Sequence, residues 1–204
     1  MKLLEEKIIN DATVLPGEVL KVENFLEERI QKDGIVKPNN VLKVDSFLNH
    51  QIDTELISAC ASEWYEKFKD AGVTKIMTIE ASGIGLACIA ATYFKVPVLF
   101  AKKSRSSAPS TELYSTTVVS YTHGHTYDVV VSKKFLSPDD KVLIIDDLLA
   151  NGSAMKALIS LCKKAGANVV GCGVAIEKSY SGGGNEIRNM GYRIEALAKI
   201  SNIS

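Results

Sequence analysis

Among its four cysteines the 204-residue chain has no Cys-x-x-Cys pair, and it has only three histidines. The usual spacings of a zinc site and of a dithiol redox centre are therefore missing. Long apolar runs are missing too: no stretch approaches the ~18 residues of a membrane span. Met1-Lys2-Leu3-Leu4-Glu5-Glu6-Lys7 places acid where a secretory signal needs an apolar run. Charge of one sign is also lacking. Lys and Arg total 24, Asp and Glu total 24, so no whole-molecule field gathers nucleic acid or an anionic membrane. No Gly-Lys-Ser/Thr occurs, and no Gly-x-Gly-x-x-Gly opens a helix after a strand, which sets aside the Walker and dinucleotide phosphate loops. The expectation is a cytoplasmic chain with neither nucleic acid nor membrane as partner. Cys60, Cys88, Cys162 and Cys172 sit among apolar or small neighbours and are expected as reduced core thiols.

What is present suits one globular domain, with 46% apolar and 24% charged residues. The first 50 residues carry a repeat with a period of 22. Leu4-Glu5-Glu6-Lys7-Ile8 returns as Leu26-Glu27-Glu28-Arg29-Ile30, and Val19-Leu20-Lys21-Val22-Glu23 as Val41-Leu42-Lys43-Val44-Asp45. Two copies fall short of the ~3 repeats a solenoid needs, so residues 1–22 read as a duplicated N-terminal extension to a domain over 23–204. Leu56, Ile57, Cys60, Ala61, Trp64, Tyr65 and Phe68 follow helical spacing over 54–70, with Gly72 as stop. A strand over 75–79, a loop over 80–85, a small-residue helix to about 94 and a strand over 96–101 follow. Runs over 116–121 and 127–131 flank His123-Gly124-His125 as a hairpin. Apolar strands over 142–145 and 169–176 bracket a helix over 154–164 that ends at Gly166. Apolar strands alternating with helices predict an α/β fold whose parallel sheet is covered on both faces.

The chemistry concentrates in Val142-Leu143-Ile144-Ile145-Asp146-Asp147-Leu148-Leu149-Ala150-Asn151-Gly152-Ser153-Ala154. Four apolar residues deliver two carboxylates to the C-terminal end of a buried strand, where open α/β sheets bind ligands. Ala150, Asn151, Gly152, Ser153 and Ala154 then open a helix whose free N–H groups and dipole favour a phosphate. Vicinal ribose hydroxyls can donate to Asp146 and Asp147 while a 5′-phosphate takes the amides beyond. The reading is a phosphorylated pentose; a plain Asx turn capping the helix is the alternative for an isolated Asp-Asp.

This block resembles the diphosphate-ribose-binding motif of the type I phosphoribosyltransferases. Further matching stretches are Val41-Leu42-Lys43-Val44-Asp45-Ser46-Phe47-Leu48-Asn49, Thr78-Ile79-Glu80-Ala81-Ser82-Gly83-Ile84, Phe100-Ala101-Lys102-Lys103 and Ile176-Glu177-Lys178-Ser179. The resemblance implies the fold of that family: a parallel twisted sheet flanked by helices, a hood over about 41–52 and a β-hairpin lid on a core over about 53–204. It also implies transfer of a phosphoribosyl group from 5-phosphoribosyl 1-diphosphate to a purine with Mg²⁺, by a homodimer. No side chain is assigned to the metal directly. Asp146 and Asp147 are then the catalytic acids. Ser82 and Gly83 contact diphosphate, Lys102 and Lys103 screen it as it departs, and Leu42, Asn49 and Lys178 hold the base. Lys178 as a donor to an exocyclic oxygen implies an oxopurine: xanthine first, guanine or hypoxanthine otherwise. Leu148 and Ser153 stand where the family more often has Phe and Gln. A purine-sensing regulator built on the same domain is the non-enzymatic alternative. Glu5, Glu6, Glu18, Glu23, Glu27 and Glu28 oppose the phosphate footprint its DNA-binding element would need.

Overall fold

The structure, a computed structural model, describes residues 24–37, 41–104, 111–119 and 126–201. The first repeat copy, residues 105–110 and the turn holding His123-Gly124-His125 lie outside them. The described chain runs α1 (Phe25–Asp33), β1 (Ile35–Lys37), β2 (Val41–Lys43), a π-helical turn (Asp45–Asn49), α2 (Thr54–Phe68) and β3 (Lys75–Ile79). Then come α3 (Gly83–Phe94), β4 (Val98–Ser104), β5 (Leu113–Val119), β6 (Thr126–Ser132) and β7 (Lys141–Leu149). α4 (Ser153–Ala165), β8 (Asn168–Lys178), α5 (Gly183–Asn189) and β9 (Ile194–Ile200) complete it. Seven strands form one sheet in the order β5-β6-β4-β3-β7-β8-β9, with β1 and β2 paired separately. Strands β4, β3, β7, β8 and β9 are parallel, with β9 at one edge, and the β5–β6 hairpin joins β4 antiparallel. The expected parallel sheet and hairpin are both present.

Alternation along the strands sends side chains to two separate cores. Leu143 and Ile145 of β7 pack with Ile57, Trp64, Phe68 and Leu86 of α2 and α3. Val142 and Ile144 pack on the other face with Met155, Leu158 and Cys162 of α4 and Val129 and Val131 of β6. α2 begins at Asp53, whose carboxylate accepts the Leu56 N–H at 3.1 Å. α4 ends at Gly166 with φ of 74°, the left-handed cap that glycine adopts without penalty.

The structure corrects four expectations. β7 extends to Leu149, so Asp146 and Asp147 lie inside the strand instead of after it; β8 continues beside them, pairing Asp146 with Val174 and Leu149 with Glu177. β4 runs on to Ser104 because Lys102, Lys103 and Ser104 pair with Val130, Val129 and Asp128 of the hairpin. α3 starts at Gly83, so the second half of the expected 80–85 loop is helical. Cys60, Cys162 and Cys172 are buried free thiols, but Cys88 is exposed: on α3 the inward positions are Leu86, Ala87, Ala90 and Ala91.

Candidate functional site

β3, β7 and β8 deliver their C-terminal ends side by side, and the site is built there. Asp146 and Asp147 are 4% and 6% exposed. The Asp147 N–H donates to Asp146 Oδ1 at 3.0 Å. Asp147 collects two further donors: Ser82 Oγ to Oδ1 at 2.9 Å and Asn49 Nδ2 to Oδ2 at 3.1 Å. Ser82 thus spends its hydroxyl on the acid and makes no side-chain cap to α3. Asn49, remote in sequence, meets Asp147 because the π-helical turn brings it over the sheet edge.

Burial pushes the Asp146 carboxyl well above the usual carboxylate range, the Asp147 charge adds to the shift, and Lys103 opposes it. Asp146 therefore holds a proton far more readily than a solvated carboxylate. Two groups near it carried no role in the sequence reading. Tyr127 of β6 has its phenol raised by burial and then by the Asp146 charge. The hydroxyl of Thr78, on β3, is buried and has no hydrogen-bond partner among the described residues. A Cβ at Gly83 would lie 2.0 Å from Thr78 Oγ1 and 3.1 Å from Asp146 Oδ1, so only glycine lets α3 start this close to the acid. Thr78 lies within a β-branched, apolar strand run, a context that signals core rather than chemistry.

Behind the acids, Asn151 Oδ1 accepts the Ser153 N–H at 3.0 Å. Gly152, with φ of 75°, opens α4 without a side-chain cap. The first turn of α4 therefore presents main-chain N–H groups suited to an anion. Ala150, Ser153 and Ala154 are half-buried in this loop, Gly152 is buried, and Asn151 is exposed.

The remaining predicted residues divide. Lys103 is exposed, with Nζ 5.9 Å from the Tyr127 ring centroid, on the side of Asp146. Lys102, its neighbour on an alternating strand, instead lines a cavity of about 610 Å³ with Lys75, Phe100, Lys134 and Phe135, none of them residues of the acid site. Lys178 is half-buried at the end of β8, where burial lowers its ammonium pKa. Leu42 is buried in the core beside Phe47 and Leu48. No group of three or more His, Cys, Asp or Glu side chains among the described residues is placed to hold a metal ion. The acid pair does fit magnesium in its usual manner, in which one or two carboxylates join substrate phosphates and water. Chemically, the arrangement can hold two vicinal hydroxyls on the acids and a phosphate on the amides of one ligand.

Comparison with known proteins gives the following. Residues 43–187 match the family model described as a phosphoribosyl transferase domain. Xanthine phosphoribosyltransferase of Lachnoclostridium phytofermentans is 56% identical over 204 residues, covering 100% of this chain and 94% of that protein. The protein of the same name from Bifidobacterium adolescentis is 52% identical with the same coverage. Among solved structures, an adenine phosphoribosyltransferase from Rhodothermus marinus superposes with a TM-score of 0.70 at 22% identity, covering 86% of this chain and 98% of that one. At that identity the likeness is one of fold.

Proposed function

This chain belongs to the phosphoribosyltransferase family, and from that premise we propose that it transfers the 5-phosphoribosyl group of 5-phosphoribosyl 1-diphosphate to xanthine. A ring nitrogen of the base bonds to C1′ as the bond to diphosphate breaks, and the proton of that nitrogen passes to water or to the departing diphosphate, giving xanthosine 5′-monophosphate and diphosphate. The observation that carries the reading is the buried Asp146–Asp147 pair, braced by Ser82 and Asn49, at the mouth of an uncapped helix. The substrate is that in the names of the relatives, and the chemistry of Lys178 supports it. An ammonium only donates, so it suits the exocyclic oxygen of an oxopurine and not the amine of adenine.

In this reading Asp146 and Asp147 hold the ribose hydroxyls and face the positive charge that develops on the sugar as diphosphate leaves. Ala150, Asn151, Gly152, Ser153 and Ala154 take the 5′-phosphate. Ser82 and Gly83 approach the diphosphate, with Lys103 as the cation near its exit; Lys102, on the opposite side of β4, takes no part. Leu42, Asn49 and Lys178 hold the base. Positioning does most of the work, and no side chain is required as a general base. Magnesium, when bound, neutralises diphosphate charge; Asp146 and Asp147 are the residues that would hold its water shell.

Residues 23–204 form the transferase domain in this reading, with the hood at about 41–52 and 1–22 as the extension. The working unit is a homodimer in the cytoplasm. Parallel turnover assays with xanthine, guanine, hypoxanthine and adenine test the proposal. The highest kcat/KM is expected for xanthine; turnover of adenine alone would overturn it.

A further inference from the structure

Outside the acid site, a charge pair of one buried carboxylate and one half-buried guanidinium stands at the same sheet edge. Arg188 Nη1 and Nη2 donate to Glu177 Oε1 and Oε2 at 2.7 and 2.6 Å, a two-toothed fork. The Glu177 side chain is 3% exposed. A charge so enclosed is costly to desolvate, and an apolar pair would pack there at least as stably. The pair's value therefore lies in the geometry it fixes.

That geometry is the turn carrying Lys178. Glu177 and Lys178 are the last residues of β8, followed by a single 3₁₀ turn (Ser179–Ser181), Gly182 at φ of 78°, and α5, which bears Arg188. The strand side of this turn is held by pairing of Glu177 with Leu149 and Lys199. Its helix side touches the phosphate loop through the Gly183 N–H, which donates to the Ala150 carbonyl at 3.1 Å. The Arg188 fork joins the two sides. The phosphate loop is anchored in β7 and α4; α5 is tied to α4 by Lys156 Nζ to Glu186 Oε2 at 2.7 Å, and the fork ties α5 back to the strand end beside Lys178.

We propose that the Glu177–Arg188 fork clamps the turn bearing Lys178, which makes Arg188 a positioning residue for the purine base and not for the sugar phosphate. The proposal rests on the base site described above.

Two variants test it. Arg188→Lys keeps the charge and loses the fork, because a lysine ammonium cannot make the planar bidentate contact. Glu177→Gln combined with Arg188→Met removes both charges, so that no buried charge is stranded and the fold is kept. Both are expected to raise KM for xanthine about tenfold or more, as misplacement of a positioning group does. KM for 5-phosphoribosyl 1-diphosphate should stay within about twofold, a sensitivity far below that of a misplaced group. A purely structural role would lower thermal stability without separating the two constants; an unchanged xanthine KM, or a parallel rise of both, overturns the clamp. Hydrogen exchange reads it without turnover. The amides of residues 179–184 should exchange faster in both variants while those of β7 keep their protection, and unchanged exchange would also overturn it. Should the native chain turn over no purine, the base assignment fails, and faster exchange in the variants still identifies the clamp.

Discussion

Asp146 is the residue where burial and function oppose each other most. Its carboxyl is enclosed beside a second carboxyl, and burial first, then the Asp147 charge, raise its pKa. The folded protein therefore keeps a proton that the unfolded chain, with an ordinary carboxylate near 4, releases. Stability from this group is fully present below about pH 4 and is lost as pH rises through the raised folded value. Asp146→Asn removes the titration and the repulsion. We expect it to raise stability at pH 7 by about 1 kcal/mol or more and to flatten its pH dependence above about pH 4. Turnover should fall about 100-fold or more. Calorimetry from pH 4 to 8 alongside kinetics checks this; an unchanged or lower Tm at pH 7 would contradict it. The acid pair was legible in sequence because it interrupts a four-residue apolar run. The raised proton affinity of Asp146 was not, since it depends first on burial by the folded chain, and Lys103, which opposes it, arrives from another element.

At the scale of elements, the phosphate loop packs directly against the first residue of α5. A Cβ on Gly183 would lie 2.3 Å from the Ala150 carbonyl oxygen and 2.4 Å from both Asn151 C and Gly152 N. All three are backbone atoms, so relief requires moving the loop itself. Gly183→Ala is therefore expected to raise KM for the phosphoribosyl donor about tenfold, with a smaller effect on the base KM at saturating donor. Steady-state kinetics checks it, and the split is opposite to that expected for the Arg188 variants; a donor KM at the native value would contradict it. The sequence reading assigned neither α5 nor β9. Gly182-Gly183-Gly184 reads as a breaker, and a helix of seven residues is too short to show a period. β4 outruns its apolar run for a different reason: its last residues, Lys102, Lys103 and Ser104, are held as strand by the hairpin, a partner no local pattern announces.

For the whole molecule, the order of apolar runs and helices was sufficient to foresee a parallel sheet with two covered faces, because alternation along β7 feeds both cores. The convergence of β3, β7 and β8 on one edge follows from that topology. The closing contact from Asn49 to Asp147, 98 residues apart in sequence, lies beyond any local pattern; the family resemblance implied Asn49 only as a residue that holds the base. Function at that edge requires one ligand spanning both acids and amides. A crystal structure of the protein with 5-phosphoribosyl 1-diphosphate and Mg²⁺ tests this most directly. Ribose hydroxyls on Asp146 and Asp147, with the 5′-phosphate on the main chain of residues 150–154, are the predicted result; a donor bound elsewhere, with the acid pair untouched, would contradict it.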